Sequence, residues 1–340
     1  MGQLKLHHSQ PSLDNSDLTL LSEVLSSKYI AKGIKTKEFE EALSERFQRT
    51  HAIFVSSGMA ALHLSLVALG IKNGDQVTLP SYVCTALLNA THLCQAKPDI
   101  VDTTHQDFLL DPKLKFLSSQ SKAIIYPQLF GAQTDIEEVP QCPIIEDCAM
   151  SLGPNALKQG SLAITSFYAT KMITTGQGGA ILTDDDSLAE EVRDLINYDN
   201  RENYRLRFNY APTDIAAALG LSQLKKLDQL LEKRRQITLY YDKKLQELLS
   251  PNGLGQDYPG LFRYWIRSEE KNALIEYLSQ HNIEAKAPVF KPLHQYLSLK
   301  DIDFPHSTKA FNTFVSIPFY PDLKEQDIDR VVEKIASFKG

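Results

Sequence analysis

Long apolar runs are missing from this sequence. No window approaches the length needed to cross a bilayer, and Met1 to Gln10 carries no apolar stretch, so no membrane association is expected and a cytoplasmic location is. Gly2 invites a myristoylation reading, but Leu6 stands where that motif wants Ser or Thr. Cysteine is scarce as well. Cys84, Cys94, Cys142 and Cys148 have neither the density of a disulfide scaffold nor the CxxC spacing of a zinc site, which predicts reduced thiols and no metal. A surplus of positive charge is also absent. A formal net charge of -6 gives no electrostatic footprint for a phosphate backbone, so nucleic acid is excluded as an expected partner and a small polar or anionic ligand is favoured. There is no internal repeat or low-complexity tract.

What is present is an ordinary globular composition, 43% hydrophobic and 23% charged over 340 residues, enough for one large domain and a smaller one. Residues 52–57 read as a β-run that breaks at Gly58 into a helical pattern carrying Leu62, Leu66 and Leu69. Gly70 and Gly74-Asp75 close that helix, and 76–79 reads as the next strand, ended by Pro80-Ser81. Strand candidates recur at 99–101, 123–126, 144–145, 166–168 and 180–182, with helical patterns at 87–94 and 187–195. This alternation predicts an α/β fold with a mainly parallel central sheet flanked by helices. Thr213-Asp214 can cap a long helix with Leu224, Leu227 and Leu231 on one face, its pattern running on through Tyr240 to Leu249. Pro251, Gly253, Gly255 and Pro259-Gly260 break the composition before a shorter α+β stretch. The expected domains are residues 1–235 and 236–340, joined through the long helix.

Three segments can carry chemistry. Ser57-Gly58-Met59-Ala60-Ala61 puts small residues between strand and helix, where free amides and the helix dipole can hold a phosphate; a plain structural turn uses the same residues. Ile144-Ile145-Glu146-Asp147 ends a buried strand in two carboxylates, at the edge where open α/β sheets bind ligands; either could instead cap the next turn. Ser166-Phe167-Tyr168-Ala169-Thr170-Lys171 ends another strand in a lysine, followed by Thr174-Thr175-Gly176-Gln177-Gly178-Gly179, and a lysine there can simply be solvated. Together, a phosphate cradle, a strand-end carboxylate and a lysine preceded by hydroxyls are what pyridoxal phosphate needs. The amine forms a Schiff base and the carboxylate keeps the pyridine nitrogen protonated.

With these residues in place, the chain resembles the DegT/DnrJ/EryC1/StrS sugar aminotransferases, of the aspartate-aminotransferase-like fold type I. The likeness runs over nearly the whole chain: Tyr29-Ile30-Ala31-Lys32-Gly33, Ser56 to Leu64, Ile145-Glu146-Asp147, Ser166 to Gly179, Phe208-Asn209-Tyr210, Ala216 to Leu224, Lys291-Pro292-Leu293-His294 and Ser316-Ile317-Pro318. The resemblance implies that Lys171 is the Schiff-base lysine and Asp147 the partner of the pyridinium nitrogen. It implies that Ser166 and the turn at Gly58, with the amides of Met59 and Ala60, hold the phosphate. It implies that Asn209 reaches the phosphate of a neighbouring subunit's cofactor, hence a homodimer with shared active sites. The implied activity moves an amino group from an amino acid, L-glutamate being the expected donor, to a keto sugar that is nucleotide-linked, in polysaccharide or amino-sugar biosynthesis.

Four residues depart from the family's pattern. Met59 stands where a threonine commonly adds a hydroxyl, and Cys84 where an aromatic stacks on the ring, giving less stacking area. Met150 replaces a glutamine near the ring, and its thioether is a weak acceptor. Gln128 replaces a frequent histidine. Arg205 and Arg207, with Arg201, are candidates for a nucleotide diphosphate, or else a solvated charge run; His294 is a candidate substrate contact, or else a satisfied structural histidine. Two alternatives keep the same fold: a sugar dehydratase, whose members typically carry histidine where Lys171 stands, and a cofactor-binding pseudoenzyme, suggested by Cys84, Met150 and Gln128.

Overall fold

Seven short, largely apolar runs pair into one sheet in the computed structural model, which describes residues 5–104, 109–111, 113, 118–137, 142–245 and 262–339. They are β1 (His51–Val55), β2 (Gln76–Pro80), β3 (Lys97–Val101), β4 (Ser121–Pro127), β5 (Ile144–Asp147), β6 (Leu162–Ser166) and β7 (Gly179–Thr183), in the order β1-β7-β6-β5-β4-β2-β3. The pairs from β3 through β6 are parallel, whereas β7 runs antiparallel to both β1 and β6. Strands β6 and β7 are buried along their whole length, as strands covered on both faces must be.

The covering helices are α1 (Asn15–Ser27), α2 (Ile34–Phe47), α3 (Gly58–Ala68), α4 (Ala86–Leu93), α5 (Asp186–Leu195), α6 (Asp214–Lys225) and α7 (Leu227–Leu245). Thr213 caps α6 as expected, its Oγ1 accepting the Ala216 N–H at 3.2 Å. The neighbouring Asp214 serves a second helix: its carboxylate accepts the amides of Gly33, Lys35 and Thr36 at the start of α2. One dipeptide thus satisfies orphan N–H groups of two helices far apart in sequence.

Toward the C-terminus, β8 (Tyr264–Arg267) and β9 (Phe314–Ile317) form an antiparallel pair accompanied by α8 (Lys271–Gln280), α9 (Leu293–Tyr296), α10 (Pro305–Thr313) and α11 (Glu325–Ser337). Trp265 stacks on Phe314 at 4.1 Å, and both belong to the main core under the large sheet. A separate core gathers Tyr241, Tyr264, Leu278, Val315 and Val331. Helix α7 serves both sides: Leu227 and Leu230 pack under the large sheet, Ile237, Tyr241 and Leu245 in the C-terminal core.

Two expectations change. The strand expected at 166–168 is β6, four residues earlier; Ser166 is its last paired residue, opposite Gly179. The long helix is two, with Lys226 between α6 and α7. Leu6, within the expected 1–235 stretch, packs in the C-terminal core and pairs with Ile283. The break from Pro251 to Gly260, and Leu249 before it, lie outside the described residues. Among the described residues no helix is long and apolar enough to cross a membrane.

Candidate active site

The turn after β1 is held from both sides. Ser56 donates its N–H to the Tyr210 carbonyl at 2.9 Å, and extended Ser57 caps α3 by accepting the Ala60 N–H on Oγ at 3.0 Å. The Ala60 amide, expected to face a phosphate, is therefore already engaged. The Gly58 and Met59 amides have no partner among the described residues and stand at the positive end of α3. Space sets the residue type here. A Cβ on Gly58 would lie 2.8 Å from Ser166 Cβ and 3.1 Å from its Oγ, and a Cβ on Gly179 would lie 2.6 Å from the Gly58 nitrogen. Ser166, ending β6, and the start of α3 thus form one narrow cradle.

Strand alternation separates the two carboxylates of β5. Glu146 points away from the cradle side: its oxygens accept from Gln128 Nε2 at 3.2 Å and from the Gln159 amide at 3.0 Å. Gln128 is fully engaged there, binding Thr134 through both ends of its amide, so the departure from histidine builds a structural link to Glu146. Asp147, 6% exposed, accepts only the Ala149 N–H at 2.9 Å among the described residues. Burial pushes its carboxyl above the usual range, while the Ala149 amide and the charge of Lys171 pull it back.

Lys171 lies not at a strand end but in a turn beyond it. The Phe167 N–H donates to the Gly178 carbonyl and the Phe167 carbonyl accepts from Thr175, closing the loop at its base. Gly176, at φ +78°, makes the return. Inside the loop the Lys171 N–H bonds the Tyr168 carbonyl at 2.8 Å, and Nζ stands 5.2 Å from the Phe262 ring centroid. Burial pulls the Lys171 pKa down, Cys84 and Asp147 oppose that, and Arg263 adds to it. Lys171, Asp147 and Cys84 therefore lie within electrostatic reach of one another. Solvent reaches Cys84, yet protein atoms crowd it enough to raise its thiol pKa, with Lys171 opposing.

The other expected residues divide. Met150 packs between the two cores beneath the large sheet. Asn209 is exposed on a loop whose Phe208 and Tyr210 rings stack at 5.3 Å beside His63. Arg205 and Arg207 are held by α5: Arg205 by Glu191 and Asp194, Arg207 by a two-pronged contact to Asp194 at 3.0 and 3.1 Å. Arg207 also binds Asn203 and is nearly buried, so its donors are taken and it anchors the loop instead of offering itself to a substrate. His294 is fully buried between Ser81 and Asp301 and stacked on Phe304 at 4.6 Å. Both ring nitrogens are occupied, an arrangement that the structural reading of His294 accounts for. Arg263, which no sequence pattern singled out, is the further residue felt at Lys171.

An amine on a closed turn, a buried carboxylate with one oxygen lacking a donor and two open amides at a helix start, each so among the described residues, and a cradle too narrow for a Cβ together suit pyridoxal 5′-phosphate. Comparison with known proteins bears on the same point. The model of the DegT/DnrJ/EryC1/StrS aminotransferase family matches residues 11–336. GDP-perosamine synthase of Caulobacter vibrioides is 34% identical, with 95% of each chain covered. Among solved structures, a DegT DnrJ EryC1 StrS aminotransferase from Brucella abortus is similar at 27% identity and a TM-score of 0.85, covering 96% of each chain. The aminotransferase TlmJ from Streptoalloteichus hindustanus shares the fold at a TM-score of 0.90 and 24% identity, covering 98% of each.

Proposed function

This chain belongs to the DegT/DnrJ/EryC1/StrS aminotransferase family, and from that premise we propose that it moves an amino group from L-glutamate to the keto group of a GDP-linked sugar. The convergence of Lys171, Asp147, Ser166 and the Gly58 turn carries the reading. The GDP-linked acceptor is drawn from the name of the relatives in Caulobacter vibrioides and Escherichia coli O157:H7.

Bound pyridoxal phosphate supplies an electron sink for the amino acid's Cα electrons. The protein does the rest. Ser166 Oγ and the amides of Gly58 and Met59 hold the phosphate at the positive end of α3. The Asp147 carboxylate holds the proton on the pyridine nitrogen, in a buried setting where such a charge pair is strong. Lys171 Nζ, its pKa lowered by burial, takes the proton from the donor's Cα and returns it, one amine acting as base and then acid.

A homodimer acting in the cytoplasm completes the proposal. In this reading Asn209, exposed on a loop held by Arg205 and Arg207, is the residue that reaches a neighbouring subunit's phosphate site. Tyr29, Ile34 and Tyr204 are large apolar side chains at 83%, 74% and 96% exposure, and a cavity of about 540 Å³ opens among residues 23–38. The decisive experiment adds pyridoxal phosphate and then L-glutamate to the protein and to Lys171→Ala while recording visible absorbance. A lysine-dependent band that glutamate removes, followed by amination of a GDP-linked keto sugar, supports the reading. A wild-type spectrum indifferent to the cofactor overturns it.

A further inference from the structure

Two guanidinium groups gather at Phe262, whose ring Lys171 also approaches, and neither meets a carboxylate among the described residues. Arg234, on α7, is 3% exposed; its Nη1 donates to the Phe262 carbonyl at 3.3 Å and its Cζ lies 5.4 Å from the Phe319 ring. Arg263 follows Phe262 directly, and its Cζ lies 4.9 Å from that ring. The Nε atoms of both are buried with no acceptor, and neither arginine forms an ion pair among the described residues. Burial draws both down to about 10, helped for Arg234 by the like charge of Arg263, and no carboxylate among the described residues opposes it.

Among the described residues, the polar side chain that bonds Arg263 carries no charge. His8 is buried, its pKa lowered to about 3 by burial and then by Arg263, so it is neutral. Ser316 Oγ donates to the Tyr264 carbonyl, so it takes the proton of His8 Nε2 at 2.8 Å, and His8 Nδ1 is left to accept from Arg263 Nη1 at 3.2 Å. The N-terminal segment therefore positions Arg263 without neutralising it. Buried cations left unpaired are costly, and a guanidinium fork matches the two oxygens of a carboxylate.

Phe262 ties that carboxylate to the reacting amine, because its ring is approached by Lys171 Nζ at 5.2 Å as well as by the Arg263 guanidinium, and the charge of Arg263 is felt at Lys171. We infer that Arg263, backed by Arg234, is the subsite for a carboxylate of the amino-acid donor; the inference rests on the transaminase reading above. The donor's reacting carbon bears a carboxylate directly, whereas the phosphates of a nucleotide sugar stand a whole sugar ring away from the group that reacts at Lys171. The donor is the better occupant on that ground.

The test is single-turnover mixing of the cofactor-loaded protein with L-glutamate, for wild type, Arg263→Gln and Arg263→Lys, with cofactor titration and thermal melting on each. The expected result is a half-saturating glutamate concentration raised about tenfold to a hundredfold in Arg263→Gln, the loss of charge-assisted hydrogen bonds. Arg263→Lys should recover part of it, with half-saturation for the keto sugar unchanged. Where the glutamine variant melts early, the lysine variant carries the test through its own intermediate shift. Unchanged glutamate saturation in both variants overturns the subsite, and a loss confined to the GDP-sugar half-reaction reassigns it to phosphate and overturns it equally. Either of those leaves the transaminase reading standing, whereas a wild type unreactive toward glutamate removes the donor assignment and this subsite together.

Discussion

Gly58 and Ser166 meet without room for one more carbon: a Cβ on the glycine would stand 2.8 Å from the Cβ of the serine. Gly58 is not among the residues with positive φ, so alanine there carries no backbone strain and improves a helix start. Gly58→Ala should therefore lower the melting temperature through crowding against Ser166 alone, while weakening pyridoxal phosphate binding about tenfold or more, because the open amides and Ser166 are pushed apart. A cofactor titration by fluorescence checks it; unchanged affinity would remove the cradle assignment.

Lys171 is expected to behave as an amine of lowered pKa. In protein freed of cofactor, burial favours the neutral form, so capture of pyridoxal phosphate should rise with pH through a midpoint below the ordinary lysine value of 10.5. Arg263→Gln removes a cation that lowers it and should move that midpoint upward. Stopped-flow capture rates across pH give both numbers. Lys171→Ala should bind the cofactor without the lysine-dependent band and lose transamination altogether.

The two carboxylates of β5 should separate cleanly by substitution. Asp147→Asn is expected to lower turnover about a hundredfold to a thousandfold, as the loss of a buried electrostatic partner does. Glu146→Gln keeps the cofactor side intact and should show itself in the melting temperature through the Gln128 and Gln159 contacts. Their acid limbs differ in meaning too. Burial raises the Glu146 pKa, so the stability tied to its neutral form is present at low pH and is lost as pH rises through that raised value. Burial also raises the Asp147 pKa in the cofactor-free protein, so its affinity for pyridoxal phosphate should fall on acidification at a pH above the usual aspartate range.

His294→Ala should act on stability alone. The ring bridges Ser81 to Asp301 and stacks on Phe304, so its removal is expected to cost about 2–4 kcal/mol. Denaturant unfolding measures that cost. Half-saturation for donor and acceptor should stay at wild-type values per folded molecule, and a selective rise for the sugar would restore the substrate reading.

Much of this architecture follows from local rules, and those parts were legible in the sequence. The glycine turn at Gly58 and the Thr213 cap need only a few neighbouring residues to specify them. The end of β6 was misread because Phe167 is as apolar as the strand before it, and only its loop bonds to Gly178 and Thr175 show that pairing has stopped. Arg207 and His294 were read as candidates for ligand because their partners, Asp194 and Ser81, are supplied by other elements of the fold. Arg263 gave no signal. Its setting depends on His8, which is brought to it from the opposite end of the chain.

The antiparallel strand β7 lies between β1 and β6, so Gly179 is wedged against the Gly58 turn although most of the domain separates them in sequence. During synthesis, β1 emerges early and must wait for β7 before either edge of the turn is lined. Such pairings are slow because a long stretch of chain must close first. The nascent protein is therefore expected to hold an unfinished sheet edge at β1 until residues 179–183 leave the ribosome, and only then to become able to retain its cofactor.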